Sequence, residues 1–115
     1  MATEHDALAK LATEFWRLLK ITEKALAEVP TEKAAGAAAQ LRYSGTRLST
    51  ICKEAGLRLV AYDGENYEAN LPVTVANADA AAEFEAAVVD RTIEPTIMAA
   101  GQVVAMGKVI LKERK

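Results

Sequence analysis

Between residues 6 and 29 the larger apolar side chains fall at Leu8, Leu11, Phe15, Leu18, Ala25 and Val29, with Ala12, Leu19 and Leu26 one step further round. Spacings of three and four put one broad apolar stripe along a helix. Thr3 with Asp6 three residues later offers a capping box, and Pro30 supplies the stop. A second helix is expected from Thr31, whose hydroxyl can cap the next turn, with Glu32 near the positive end of the dipole. Its inward positions read Ala38, Leu41, Gly45, Leu48, Cys52 and Ala55, alternating threes and fours as a close-packed helical neighbour requires. The short connection makes that neighbour the first helix, in antiparallel orientation. Gly45, without a side chain on this stripe, reads as a close approach between helix backbones, and Gly56 suits a left-handed cap.

After Gly56 the period turns strand-like. Residues 57–61 are short and apolar, Asp63-Gly64 carries a turn signal, and 71–75 is extended, with Pro72 holding it to an edge or a strand start. Residues 77–87, rich in Ala and Glu, read as a short helix. Residues 88–93, 102–106 and 108–111 read as strands, with Gly101 and Gly107 at turns or bulges. The expected fold is α+β: an antiparallel helical hairpin over residues 1–56, then a small antiparallel β-domain with one short helix over 57–115.

A length of 115 residues, 51% of them hydrophobic and 26% charged, suits one modest core and leaves no room for a second large domain. Net charge −2 with both signs interspersed argues against nucleic acid, which needs clustered Lys and Arg. A single cysteine, Cys52, allows no internal disulfide, so the cytoplasm is the expected compartment. The first residues lack the basic and apolar runs of a signal peptide, and no stretch has the apolar length to span a membrane.

Motifs for chemistry are scarce. His5 is the only histidine and lies near a terminus, and a metal site would need partners that are missing. Cys52 sits on an apolar stripe where a small buried residue is expected, with no His beside it in the sequence to activate it. Gly101 and Gly107 match neither glycine-rich phosphate-binding spacing. Glu83, Glu85 and Asp90 read as the solvated face of a helix, and Trp16 with Arg17 as either a recognition pair or part of a helical seam. No catalytic, cofactor-binding or metal-binding residue is assigned, and the expectation is a protein that is not an enzyme and works by contacting another protein.

The order of parts resembles the GrpE-type nucleotide exchange factors of DnaK-type chaperones. Ile21-Thr22-Glu23-Lys24-Ala25-Leu26 is similar to that family's D-N-L-E-R-A-L segment. Residues 40–57, with Gly45, Leu48 and Ala55-Gly56-Leu57, are similar to its second bundle helix and closing glycine. The run Asp63-Gly64-Glu65-Asn66-Tyr67-Glu68-Ala69-Asn70-Leu71 resembles x-G-E-x-F-D-P-N-L at matching separation. Pro72 stands where the family has His, and the family's Gly-Tyr and Arg-x-x-Arg-Pro-Ala elements have no counterpart.

The resemblance implies a homodimer joined through the helices as a four-helix bundle, without a cofactor, with Leu11, Phe15, Leu18, Leu41, Gly45 and Leu48 at the interface. It implies a β-domain that contacts the nucleotide-binding domain of a DnaK-type chaperone; neither nucleic acid nor a membrane is expected as partner, on the charge and apolar pattern above. The expected contact surface is Pro95, Ile97, Met98, Val103, Met106, Lys108 and Ile110, in a module with more apolar residues than so few strands can bury. Because residues alternate faces along a strand, Val103 and Val109 should not both behave like their neighbours Val104 and Lys108. The alternative is a dimeric adaptor whose sheet edge takes up a partner strand.

Overall fold

Two runs of helix-forming residues parted by one proline become two helices in a computed structural model that describes residues 4–114. Helix α1 spans Glu4–Leu26 and α2 spans Thr31–Glu54. Strands β1 (Leu57–Val60) and β2 (Val73–Val75), a one-turn helix α3 (Ala78–Ala81), and strands β3 (Ala87–Glu94), β4 (Thr96–Ala99), β5 (Gln102–Ala105) and β6 (Gly107–Glu113) follow. The architecture is α+β, a helical hairpin and then a small, mostly antiparallel β-region. The chain divides into two compact units at Arg58 and Leu59.

In the first unit α1 and α2 pack on each other. The stripe expected on α2 is the inward one: Leu48 and Cys52 are buried and Ala38, Leu41, Gly45 and Ala55 half-buried. Gly56 closes α2 with φ +81°, a conformation open to glycine at little cost. On α1 the expectation needs correction, because the enclosed residues are Ala9 and Ala12, flanked by half-buried Trp16, Leu19 and Leu26. Leu11, Phe15, Leu18 and Ala25 are exposed, as is Val29 just beyond the end of the helix. The small side chains of Ala9 and Ala12 admit a close neighbour at the points where α2 packs.

Two details at the helix ends also differ. Pro30 is the residue before the first turn of α2, and its carbonyl accepts from the Lys33 and Ala34 N–H groups. Thr31 is therefore the first helical residue, and no side-chain bond caps the helix. Thr3, the expected cap of α1, lies outside the described residues, as does the side chain of His5.

The second unit is built on one long bent hairpin. β3 pairs antiparallel with β6 from Ala87 opposite Glu113 to Glu94 opposite Lys108, and pairing resumes in β4 and β5 with Ile97 opposite Ala105. Pro95 and Met106 fall at the bend. The outer half joins a sheet of order β1-β4-β5 and the inner half one of order β2-β6-β3. β2 runs parallel to β6, Val73 beside Gly107, whereas β3 with β6 and β4 with β5 are antiparallel, as the sequence leads one to expect. Pro72 lies just before β2, at an edge, where its missing N–H breaks no ladder.

The core of this unit gathers Tyr62, Val73, Val89, Val109 and Leu111, with Tyr67, Leu71, Val75 and Phe84 packed against it. Burying each such side chain contributes on the order of 1.5–3 kcal/mol. Helix α3 is far shorter than the expected 77–87. Glu83 and Glu85 follow it in irregular backbone and Asp90 lies in β3, so these carboxylates share no helix face. Asn77 holds α3 to the sheet: its amide donates to the Leu111 carbonyl at 2.8 Å and its side-chain oxygen accepts from the Leu111 N–H at 2.9 Å.

Candidate partner-binding surfaces

The β4–β5 arm turns at Ala100-Gly101, both with positive φ (+52° and +78°), the geometry of a tight two-residue hairpin. On β5 Gln102 and Val103 are exposed, Val103 by 44%, and Val104 and Ala105 half-buried. On β6 Lys108 is exposed and Val109 is fully buried, so the expected contrast between neighbours holds at both sites. Met106, at the bend, is 50% exposed. Of the seven residues expected to form the contact surface, Met98 and Ile110 are half-buried, and Val103, Met106 and Lys108 are exposed. Pro95 and Ile97 are fully enclosed and drop out, because the bend that directs the arm turns both inward.

That bend is made by contacts that periodicity does not announce. Thr96 is fully buried, and its hydroxyl donates to the Pro72 carbonyl at 2.8 Å. The Gly107 N–H donates to the same carbonyl at 3.1 Å. A Cβ at Gly107 would lie 2.6 Å from the Thr96 hydroxyl and 2.9 Å from its backbone nitrogen, so only glycine fits. Gly107 is thus neither a turn nor a bulge but a point of close approach. Thr92 ties a second corner: its N–H donates to Asp63 Oδ1 and its hydroxyl accepts from the Tyr62 N–H, each at 2.9 Å.

The run that carries the family resemblance has visible structural work. Gly64, at φ +81°, donates to the Val89 carbonyl, the Val89 N–H donates to Glu65, and the Tyr67 N–H donates to Ala87. Tyr67 and Leu71 then pack into the core. These residues line the loop up against the start of β3 and explain the motif by packing alone.

In the first unit, the outward face of α1 carries Leu11, Phe15, Leu18 and Ile21, of which Leu11, Leu18 and Ile21 are 65%, 63% and 62% exposed. Between α1 and α2 lies an apolar groove of about 240 Å³, walled by Leu8, Leu11, Phe15, Leu48 and Ile51, with Arg47 and Ser44 at its polar side. Among the six expected interface residues, Leu11, Phe15 and Leu18 are exposed, Leu41 and Gly45 half-buried, and Leu48 buried within its own chain. Gly45 marks no close approach here, since a Cβ built on it meets nothing within 4 Å. Ile21 and Ile51 were missed as surface residues; their three-residue steps from Leu18 and Leu48 extend the two stripes and could have marked them.

The remaining chemistry is sparse. Burial pushes the Cys52 thiol above its ordinary pKa, away from the thiolate that a nucleophile or metal ligand needs. Trp16 is half-buried beneath the Lys20 ammonium, 5.3 Å from its ring centre, and Arg17 reaches Glu14 at 3.3 Å. Among the described residues, no three His, Cys, Asp or Glu side chains gather as a metal site would require. No helix among them is long and apolar enough to cross a membrane. In comparison with known proteins, the chain matches no protein-family model, no curated protein and no solved structure.

Proposed function

We propose that this protein is a cytoplasmic co-chaperone that binds the nucleotide-binding domain of a DnaK-type chaperone and promotes ADP release, acting as a homodimer. The observation that carries the reading is the β4–β5 arm with its bend, where Val103 on the arm and Met106 at the bend are exposed to solvent in the part of the chain that corresponds to the family's chaperone-contacting domain. The uncovered stripe of α1 supports the dimer, because side chains as large as Leu11 and Leu18 left in water forgo the stabilisation that a second helix pair would supply. No covalent chemistry is required. A partner that fits the nucleotide-releasing lobe arrangement better than the closed one shifts the population toward release, and bound nucleotide weakens the partner in return by the same factor.

The test is release of a fluorescent ADP from the DnaK-type chaperone of the same organism, with and without the full chain. A fall in nucleotide affinity of about 5- to 150-fold is the expected coupling. Unchanged release at saturating protein would remove the proposal. The second reading, a dimeric adaptor, draws on the position of β5 at the end of its sheet, where one side of its backbone stands open for an added strand. Capture of an extended peptide, without any effect on ADP release, would favour it.

A further inference from the structure

The arm's contact residues are useful only if the arm points one way. β4 and β5 number four residues each, and the ladder that joins them to β3 and β6 breaks at Pro95 and Met106. Register shifts flank the break, between Thr92 and Glu94 on one side and between Ile97 and Met98 on the other. A ladder interrupted in this way has few backbone bonds to define the angle across it. Besides the pairing of β4 with β1, a side chain spans the break: the buried hydroxyl of Thr96, the first residue of the arm, bonded at 2.8 Å to the carbonyl of Pro72, which leads into β2 of the other sheet. The same carbonyl takes the N–H of Gly107, the first residue of β6, so one oxygen holds both arms of the hairpin at the bend.

We propose that Thr96 is a positioning residue for partner binding: its hydroxyl, clasped to the Pro72 carbonyl against Gly107, aims the β4–β5 arm so that Val103 and Met106 meet the partner together. The inference rests on the co-chaperone reading above. Thr96 touches no partner itself, being fully enclosed. Removing its hydroxyl leaves the Pro72 carbonyl with its Gly107 bond and β4 with its pairing to β1 and β5, so the fold persists while the angle across the bend loses one of its ties and spreads. When only a fraction of molecules holds the competent angle, apparent affinity falls by that fraction; occupancy near one-tenth weakens binding about tenfold.

The experiment compares wild type, Thr96→Val and Thr96→Ser, each as full chain, for binding to the DnaK-type chaperone and for acceleration of fluorescent ADP release. Thr96→Val keeps the shape without the hydroxyl, and Thr96→Ser keeps the hydroxyl without the methyl. Expected is a Val variant that is folded but binds about tenfold more weakly, with wild-type release restored at saturation, and a Ser variant close to wild type. A folded Val variant of wild-type affinity overturns the inference, as does a Ser variant as weak as the Val one. Backbone relaxation of the wild type needs no variant. Order parameters over residues 96–105 matching those of β3 and β6 support a clasped arm, and markedly lower values overturn it. If wild type neither binds nor accelerates release, the co-chaperone reading fails and this inference with it; if wild type acts and only the variants disagree, the inference alone fails.

Discussion

Ala100 sits at the tip of the β4–β5 hairpin with φ +52°, a backbone region where its Cβ crowds the following carbonyl. Asn adopts the same conformation more readily and is favoured at this place in a two-residue turn. Ala100→Asn is therefore expected to stabilise the fold by about 0.5–1 kcal/mol, read as a higher midpoint in urea with an unchanged slope; an unaltered midpoint would show that the turn carries no strain. Neighbouring positions show how differently a single residue can count. Gly101 answers a backbone demand at φ +78°, whereas Gly107 answers the proximity of Thr96. Gly45, which looks from its place on the stripe like a close-packing glycine, answers neither within the chain.

At the scale of the element, α1 is the informative case. Its small residues, Ala9 and Ala12, are enclosed while Leu11 and Leu18 stand out in solvent, so the helix has two apolar faces and the hairpin uses one. If a second copy covers the other, replacing Leu11 and Leu18 together with Glu removes the association without removing the helix, since both positions are exposed in the single chain and Glu is a good helix former. Sedimentation is expected to report twice 12.3 kDa for wild type and 12.3 kDa for the double variant, with the far-ultraviolet helical signal retained in both. A wild type that sediments as a single chain at tens of micromolar, on the scale where weak interfaces part, would leave the outward stripe to some other partner.

For the whole molecule, if a second copy covers the large apolar residues exposed on the first unit, a fold this small draws part of its stability from association. The midpoint of thermal unfolding is then expected to rise with protein concentration, each tenfold increase adding about 1.4 kcal/mol to the dimer. A midpoint independent of concentration over two decades would show that the hairpin is stable without a second copy. This measurement is independent of any chaperone, so the helical interface and the co-chaperone activity stand or fall separately.

The elements themselves were legible in the chain because they are local: the threes and fours of Leu41, Gly45, Leu48 and Cys52, the stop at Pro30, the cap at Gly56 and the turn at Asp63-Gly64 each act over a few residues. Strands β1, β2, β3, β5 and β6 were visible by the same short-range logic. Periodicity names a face but not the neighbour it meets, so only packing decided that Ala9 and Ala12, rather than Leu11 and Leu18, lie on the enclosed face of α1. Strand β4 escaped notice because Thr96 and Ile97 are both buried and show no alternation there. The parallel pairing of β2 with β6, the enclosure of Pro95 and the clasp of Thr96 on Pro72 join residues far apart in sequence. Such contacts depend on register and on volume left by neighbours, which no window of local sequence contains, and the aim of the arm is settled there.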